Sequence, residues 1–340
     1  MKSDTRGLRG FAVLTVVLTC LAVQAVLTLS AYGDEIVAWG YNNGTPPPGN
    51  DFIDIAAGAS HSLALKADGS IVGWGYNSYG QATPPAGNDF IAIATGDLHS
   101  LALKSGGTIV GWGNNSDGQA TPPVGNNFTA VAAGEDHNLA LKTDGSIVGW
   151  GYNYYGQATP PAPPEGIDFI AIAAGYAHSL ALKSDGSIVG WGWNEYGQAT
   201  PPAPPAGTDF IAIAAGDDHS LALTSDGSIV AWGWNNFGQA SPPAGNDFIA
   251  IAAGGCHGLA LKSDGSIVAW GANWFGEATP PPGNDFTAVA AGGSYSLALA
   301  YVSQDFPPDE QVRQILEFID GSVEAGDLEG TGPGNSASGR

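Results

Sequence analysis

The residues of this chain best suited to chemistry are histidines that recur at one place in a repeated segment. Each opens a stretch of the form His-x-Leu-Ala-Leu, and the six are His61, His99, His137, His178, His219 and His257, with Tyr295 in the seventh place. Imidazole is a common metal ligand and general base. A catalytic group is needed once, however, whereas these rings recur in every unit. We therefore interpret them as structural residues that bond the backbone of the tight turn before them, and we predict no metal site and no cofactor.

The carboxylates are numerous but form no catalytic or calcium-binding pattern. The chain has 32 Asp and Glu against 10 Lys and Arg, a net charge of −22. A surface this acidic repels phosphate, so we expect no nucleic-acid partner and, beyond the leader described below, no membrane partner. The sequence contains no Asp-x-Asp-x-Asp-Gly loop, which would indicate calcium. The only pair that would suit a propeller enzyme acting on polysaccharide is Glu195 with Asp217, and we predict no catalytic residue.

The histidine segments belong to a longer unit that repeats between residues 34 and 302. In each unit, segments such as FIAIAAG and HSLALK alternate in side-chain character, SIVGWG is β-branched and aromatic, and an Asp-Gly turn separates the last two. This pattern predicts three short antiparallel strands per unit and no helix. A Trp-Gly pair recurs every 35 to 41 residues, and we interpret its tryptophans as structural: Trp39, Trp74, Trp112, Trp150, Trp191, Trp232 and Trp270.

The strands of the repeat are offset from the ends of the chain. The first Ile-Val-x-Trp-Gly strand, residues 36–40, stands alone at the start, and the last unit lacks one. If residues 36–40 pair beside residues 296–300, seven complete sheets form and the ring has no exposed edge. The sequence therefore predicts an all-β fold: a seven-bladed β-propeller of short three-stranded blades over residues 34–302, closed by the N-terminal strand and followed by a C-terminal helical tail.

The repeat AAGxxHSLALKSDGSIVGWGxNxxGQ resembles that of the regulator-of-chromosome-condensation propeller family. The resemblance covers residues 34–302 and implies a seven-bladed propeller closed by an N-terminal strand. The unit is short and has no room for a clear fourth strand, which makes it more similar to a secreted bacterial branch that includes a β-lactamase-inhibitor protein. The family's functions range over nucleotide exchange on small GTPases, chromatin association and protein inhibition, so this fold alone does not fix the function.

Both termini differ from the repeats. Residues 1–33 have a basic start, a long apolar stretch and an Ala-Tyr-Gly exit, which predicts a secretory signal peptide, with an uncleaved anchor as the alternative. We predict a linker at residues 303–309 and an amphipathic helix with a disordered end at residues 310–340. This tail either docks on the propeller or begins a truncated helical domain. We accordingly expect a secreted or cell-surface protein.

Chain direction places the turns after the first strand and the loops after Trp-Gly on one face, with the Asp-Gly hairpins on the other. Aromatic and acidic residues concentrate on the first face, where the recurring aromatics could instead pack against the prolines of their own loops. The best candidates break the repeat: Asn114, Asp117, Tyr154, Glu195 and Trp274. The full set of predicted binding residues comprises Tyr76, Tyr79, Asn114, Asp117, Tyr152, Tyr154, Tyr155, Trp193, Glu195, Tyr196, Trp234, Phe237, Trp274 and Phe275.

Three functions compete for this sequence. The first is a monomeric, non-enzymatic binding propeller that is secreted or displayed at the cell surface and uses the aromatic and acidic face to bind a protein, or alternatively a glycan. The second is a guanine-nucleotide exchange factor for a small GTPase, which rests on the family resemblance and conflicts with an export signal. The third is the polysaccharide-acting enzyme described above.

Overall fold

A computed structural model describes residues 34–41 and 44–302. The predicted leader, linker and C-terminal tail lie outside the described residues. The described residues form 21 strands, which are joined by turns and loops. The strands make seven three-stranded antiparallel sheets. None of the described segments is a helix that could cross a membrane.

Each sheet is one blade with an inner, a middle and an outer strand. The inner strands of neighbouring blades lie against each other around the axis. They are β2 (Phe52–Ala57), β5 (Phe90–Thr95), β8 (Phe128–Ala133), β11 (Phe169–Ala174), β14 (Phe210–Ala215), β17 (Phe248–Ala253) and β20 (Phe286–Ala291). The middle strands are β3 (His61–Lys66), β6 (His99–Lys104), β9 (His137–Lys142), β12 (His178–Lys183), β15 (His219–Thr224), β18 (His257–Lys262) and β21 (Tyr295–Ala300). The outer strands are β4 (Ile71–Gly75), β7 (Ile109–Gly113), β10 (Ile147–Gly151), β13 (Ile188–Gly192), β16 (Ile229–Gly233), β19 (Ile267–Gly271) and β1 (Glu35–Gly40).

The ring is closed by the first strand, as the offset of the repeat predicts. Strand β1 pairs antiparallel with β21, with Glu35 opposite Ala300 and Gly40 opposite Tyr295, and it completes the sheet that β20 and β21 begin. The seventh blade is therefore built from both ends of the repeat region. Closure gives every blade the same three strands and leaves only short edge strands of five or six residues.

Local signals in the sequence account for the turns within a blade. In the Asp-Gly hairpins the Asp side chain accepts hydrogen bonds from the Ser two residues later. Asp144, for example, accepts from the Ser146 amide and hydroxyl at 3.0 and 2.6 Å. Gly145, between them, has a φ of +73°, which favours glycine. The hairpin prediction is confirmed.

The core lies between the blades. Along a middle strand, side chains point alternately toward the next and the previous blade, so Leu63 and Leu65 meet Ala102 of the following blade. Both leucines are fully buried, and burial of each stabilises the fold by about 1.5–3 kcal/mol. Large residues of one blade thus pack on small residues of the next, and the same combination recurs around the ring.

A closed circle of glycines surrounds the axis where the inner strands end. A Cβ added to any of them would lie 2.3–2.7 Å from the carbonyl oxygen of the corresponding glycine in the next blade. None of these residues has a left-handed backbone, so close approach, and not φ, requires glycine. The circle consists of Gly58, Gly96, Gly134, Gly175, Gly216, Gly254 and Gly292.

The histidines join consecutive blades, and their bonds differ from the predicted ones. Each ring packs on the glycine of its own turn but, His219 excepted, its Nε2 bonds a side chain of the next blade. Nε2 of His61 lies 2.8 Å from the Ser100 hydroxyl, and Nε2 of His178 lies 2.9 Å from that of Ser220. The first two residues of a middle strand point to opposite neighbours, so the chain of bonds passes from blade to blade.

The closing seam uses Tyr295 in place of histidine. Its hydroxyl lies 2.8 Å from the Ser62 hydroxyl and donates to the His61 carbonyl at 2.7 Å. The chain of side-chain bonds is interrupted between the fifth and sixth blades, where Gly258 occupies the serine position and the buried Nε2 of His219 meets no side-chain hydroxyl among the described residues.

A buried glutamine in five of the loops, and Glu277 in a sixth, forms a second link between blades. The Gln81 carbonyl accepts hydrogen bonds from the Trp112 indole and the Ser100 hydroxyl of the next blade, both at 2.9 Å. Equivalent indole bonds go to Gln119, Gln157, Gln198, Gln239 and Glu277. Six of the seven repeated tryptophans thus bond the loop of the preceding blade. The loop after β1 lacks the Gly-Gln pair, and no such bond from the Trp74 indole is found among the described residues.

Replacement of Gly175 by alanine should destabilise the propeller by about 1–3 kcal/mol or more because its Cβ would overlap the Gly216 oxygen and the His178 ring, each 2.3 Å away. Gly106→Ala is the matched control. A Cβ there meets nothing within 4 Å and the backbone is not left-handed, so its effect should stay within about 0.5 kcal/mol. Urea unfolding of the full chain measures both. Equal stabilities would contradict the close approach at the axis.

Stability should fall as the pH drops through about 6.5. Burial lowers the pKa of His137, His178 and His219 to about 3, and burial together with the charge of His99 lowers that of His61 to about 4. The folded rings stay neutral while those of the unfolded chain take up protons, so each costs about 1.4 kcal/mol per pH unit. The pKa values of His99 and His257 are lowered too, so up to six protons bind on unfolding.

Urea unfolding at pH 7.5, 6.5 and 5.5 tests this linkage. The free energy of unfolding should fall by roughly 1–2 kcal/mol between the first two values and by several kcal/mol between the last two, because the unfolded rings are half charged at pH 6.5 and almost fully charged at pH 5.5. A His178→Gln variant should be less stable throughout but lose less stability per pH unit, since one proton fewer is taken up. Stability that does not change down to pH 5.5 would show that the histidines are not buried in the neutral form.

Candidate functional site

The two faces of the propeller carry different chemistry. The antiparallel order within each blade brings the turn after the inner strand and the loop after the outer strand to one end, as predicted; the Tyr76 amide donates to the Ser60 carbonyl at 2.8 Å. We call this end the loop face and the opposite end the hairpin face. All basic residues among those described end middle strands on the hairpin face: Lys66, Lys104, Lys142, Lys183 and Lys262.

The lysines of the hairpin face are largely engaged. Lys66 lies 3.1 Å from Asp51, and its ammonium group lies 5.5 Å from the centre of the Phe52 ring. Lys104 and Lys262 repeat this arrangement with ion pairs of 3.1 and 3.2 Å. Such exposed pairs contribute little stability, but they leave this face with mixed charge. The loop face, in contrast, has carboxylates without a Lys or Arg among the described residues: Asp97, Asp117, Glu135, Asp136, Glu195, Asp217, Asp218 and Glu277.

Each loop is fixed from within by an asparagine and by the buried glutamine. Asn153 accepts from the Ala158 amide at 2.8 Å and donates to the Thr159 hydroxyl at 2.8 Å. The Gln157 side chain accepts from the Tyr155 amide at 3.0 Å. The predicted turn role of the repeated Asn is confirmed where it is described; Asn42 lies outside the described residues. The loops can therefore hold their remaining side chains in defined positions.

Those side chains form a continuous row of aromatic rings across four neighbouring blades. Adjacent rings lie with their centroids 4.7–6.5 Å apart, the separation at which aromatic pairs attract. We call this row the aromatic belt; its members are Tyr152, Tyr154, Tyr155, Trp193, Tyr196, Trp234, Phe237 and Trp274.

The contacts of the belt that bridge loops were not foreseen from the sequence. The aromatic residue two positions after Asn in one loop meets the residue before Asn in the next. In the sixth blade that position is Ala272, and Trp274 takes its place against Phe237 at 4.7 Å. The other bridging contacts are Tyr155 with Trp193 at 6.1 Å and Tyr196 with Trp234 at 6.0 Å.

The belt is held in place yet open to solvent. Tyr154 and Trp274, the two aromatics that break the repeat, are 77% and 58% exposed, and most other members are exposed as well. The remaining predicted aromatics lie outside the belt: Phe275 contacts Tyr41 at 5.1 Å, and Tyr76 and Tyr79 are exposed on the first blade. Asn114 and Asp117, in the second blade, replace aromatic positions and separate Tyr79 from the belt.

Glu277 explains why Trp274 joins the belt. It replaces the buried glutamine, and its two carboxylate oxygens accept from the amides of Trp274 and Phe275 at 3.1 and 2.7 Å. A glutamine oxygen in the other loops accepts from one amide only. The carboxylate thus fixes the backbone of both neighbouring aromatic residues. The sequence signal for this role was the single change from Gln to Glu at a repeated position.

The second part of the loop face is an opening of about 310 Å³ on the axis, which we call the channel mouth. It is lined by the turns that follow the glycine circle. The residue after each glycine projects from this rim, and these residues differ from blade to blade. They are Ala59, Asp97, Glu135, Tyr176, Asp217, Gly255 and Gly293. Acidic side chains therefore lie on one side of the mouth and glycine or alanine on the other.

The carboxyl groups of the mouth disfavour one another's charge. Burial, followed by the charges of Asp97 and Asp136, raises the pKa of Glu135 to about 7. The surrounding turns crowd Asp217 although solvent reaches it, and this desolvation, with the charges of Asp218 and Asp97, raises its pKa to about 7. Lower pH therefore stabilises the fold through these two groups, opposite to the histidines. Burial also raises the pKa of Asp54 to about 6 and raises those of Asp34, Asp97 and Asp218, so the carboxyl groups offset part of the loss that the six histidines cause.

Tyr176 belongs to the same group and was not identified from the sequence. It is hydrogen-bonded to Glu135, whose charge is the largest cause that raises the pKa of the Tyr176 hydroxyl to about 12. The sequence signal that could have identified Tyr176 is its position directly after a repeated glycine, where three other blades have acidic residues. Within the described residues, no three His, Cys, Asp or Glu side chains are arranged to hold a metal ion.

The remaining predicted residue, Glu195, is exposed on the fourth loop. Its charge contributes to the raised pKa of Asp218, after burial, whereas Asp217 responds to Asp218 and Asp97. The pair considered for an enzyme, Glu195 with Asp217, is thus not coupled in the way that a general acid and base would be.

Comparison with known proteins agrees with this architecture. Prp20p from Saccharomyces cerevisiae aligns with a TM-score of 0.67 and 21% identity over 86% of this chain and 96% of the yeast chain. Human WBSCR16 aligns with a TM-score of 0.67 and 20% identity over 80% and 100% of the two chains. The ectodomain of receptor kinase CR4 from Physcomitrella patens aligns with a TM-score of 0.63 and 24% identity over 75% of this chain and 72% of the CR4 chain. Identities this low establish a shared fold.

The sequence itself carries the family assignment. The family model described as the RCC1-like domain matches residues 44–279, which is more than half of the chain. This range begins after the closing strand and extends through the last complete Trp-Gly loop. The chain therefore belongs to the RCC1-like domain family.

Proposed function

We propose that this protein is a non-enzymatic binding propeller whose loop face contacts another protein. The single observation that carries the proposal is the aromatic belt, eight rings in continuous contact across four blades. A few residues supply most of the binding energy at protein interfaces, and Trp and Tyr are enriched among them. Because these rings already hold one another in place, little side-chain entropy is lost when a partner binds.

The chemistry of the loops supports binding in preference to catalysis. The glutamine and asparagine residues are engaged in holding the backbone, and the histidines are buried between blades. The carboxylates that vary between blades lie in the mouth and on the loops without a nucleophile and base arranged as a unit. We therefore propose that the acidic residues contribute charge to an interface and not a reaction.

The relatives support a protein partner by analogy. The yeast structure of Prp20p was described together with its binding to Gsp1p and histones, and Kap60 has been solved bound to the same protein. This likeness also favours the second candidate function, a regulator that promotes nucleotide exchange on a small GTPase. The export signal predicted in residues 1–33 weighs against that candidate, since cytosolic GTPases would be out of reach.

We further propose that the propeller works outside the cytoplasm, as a monomer, and that it is most similar to the secreted bacterial branch of the family. A strongly acidic surface with few Lys and Arg suits a soluble exported protein. The short three-stranded blades support the same placement.

A Tyr154→Ala, Trp274→Ala double variant should lose at least about 30-fold in affinity for the partner, because two interface anchors are truncated. The full chain, immobilised, is used to capture proteins from the extracellular fraction of the source cells, and the affinity of a captured protein is then measured. Ile53→Ala with Tyr301→Ala is the control, since both side chains are more than half exposed and neither belongs to the belt. Equal binding by the wild-type and belt variants would contradict the proposal.

Export predicts a specific N-terminus. Protein recovered from outside the cytoplasm should begin at Asp34, because cleavage after the Ala-Tyr-Gly exit removes residues 1–33. N-terminal sequencing and intact mass of the recovered protein measure this, and a chain without residues 2–29 serves as the control that should stay in the cytosol. Full-length protein found only in the cytosol would contradict export and favour the regulator of a GTPase.

A further inference from the structure

The channel mouth lies at the centre of the proposed binding face and is connected directly to the aromatic belt. The amides of Tyr152 and Trp234, the first aromatic residues of their loops, donate to the carbonyls of Asp136 and Asp218 at 2.8 Å. The Gln119 side chain, in the neighbouring loop, donates to the Asp136 carboxylate at 2.8 Å. Asp136 and Asp218 directly follow Glu135 and Asp217 of the mouth, so a partner that lies on the belt and extends toward the axis would cover the carboxylates of the mouth.

Covering those carboxylates without a countercharge would be costly. They have no Lys or Arg near them, since every basic residue described lies on the hairpin face. One oxygen of Asp218 is already buried and accepts no hydrogen bond from the described residues. Burial of an ionised carboxylate is unfavourable unless a donor or a cation pairs with it. A partner that brings positive charge to the axis would pair with the ionised carboxylates, whereas a neutral partner could cover them only in the protonated form.

The shape of the mouth limits how that charge arrives. Its volume of about 310 Å³ is at the lower end of the range for small-molecule sites, about 300–1,000 Å³. The acids Asp97, Glu135 and Asp217 occupy one side, while Gly255 and Gly293 leave space on the other. A long, thin side chain can enter such an opening, whereas a folded surface cannot. Arginine suits it best because its planar group offers five donors to several oxygens.

We propose that the protein partner inserts an Arg or Lys side chain into the channel mouth, where Asp97, Glu135 and Asp217 surround the cation while the aromatic belt packs on the apolar residues beside it. This inference rests on the proposed function and adds the chemistry of the partner to it. The belt supplies contact area, and the mouth selects partners with a basic residue at the centre of the interface. Selection by charge of this kind acts on specificity as much as on affinity.

The test uses a phage library of disulfide-closed 12-residue peptides of random sequence, selected on the full chain. Enriched peptides should share an Arg or Lys at a fixed position. Replacement of that residue by neutral citrulline or norleucine should weaken the synthetic peptide at least 30-fold. An Asp97→Asn, Glu135→Gln, Asp217→Asn variant should show a similar loss with the original peptide and little further loss with the neutral one, since both changes remove one interaction.

A second triple variant controls for net charge. Asp144→Asn, Asp185→Asn and Asp264→Asn remove the same charge from the hairpin face, where each Asp oxygen accepts from a Ser amide that Asn can also satisfy. It should bind the peptide within twofold of the wild-type chain. Enriched peptides without a basic residue, a loss of less than threefold with citrulline, or an equal loss in the hairpin-face variant would each overturn the proposal.

The belt variant separates this inference from the proposed function. One outcome would support the aromatic belt as a binding surface but overturn the proposed cation site in the mouth. In that outcome, peptides bind the wild-type chain, fail to bind the Tyr154→Ala, Trp274→Ala variant and are unaffected by citrulline. Peptides that require the basic residue but ignore the belt variant would support a cation site and contradict the proposed binding face. A library that yields no peptide specific for the loop face would contradict both.

Discussion

The fold depends on how closely seven inner strands approach one another around the axis. At each step a glycine lies where a Cβ would be only 2.3–2.7 Å from the next blade's carbonyl oxygen. A seven-membered circle with this spacing closes only if no member has a side chain. The turn that follows each glycine is therefore held in the same place in every blade. The residue after the glycine stands on the rim of the mouth, where packing imposes no single residue type.

Outside the circle, the blades are joined by buried polar groups whose bonds run in one direction around the ring. Most middle strands present His toward the next blade and Ser or Asn toward the previous one, and six loops offer a carbonyl to the Trp of the next blade. Buried polar groups are stable only when bonded, so these residues must recur with the blade. The two irregular seams, at Gly258 and at Tyr295, show where the repeat was altered without loss of the ring.

Separate residues in each loop hold the backbone and face the solvent, which explains why the loop face is suited to binding. The buried half of each loop, Gln with Asn, fixes the backbone, and the exposed half carries rings that meet across blades. The residues that differ between units are not required to hold the backbone of the blades. They are Tyr154 and Trp274 in the belt, and Asp97, Glu135 and Asp217 in the mouth. The hairpin face has no comparable contrast, because its lysines and acids largely neutralise each other.

The sequence by itself determined the number of blades, their three strands, the closure by β1 and the face on which aromatic and acidic residues gather. All of these follow from local periodicity, turn chemistry and the offset of one strand, and each is found in the structure. Only the tertiary structure decided which residues meet between blades: the partner of each His ring, the Gln carbonyl that receives the Trp indole, and the rings of the belt. Those contacts join residues about one repeat apart or more, and their geometry depends on the angle between sheets. Glu277 is an example. In the sequence it is a single change from Gln to Glu, and only the structure shows that its two oxygens accept from the amides of Trp274 and Phe275.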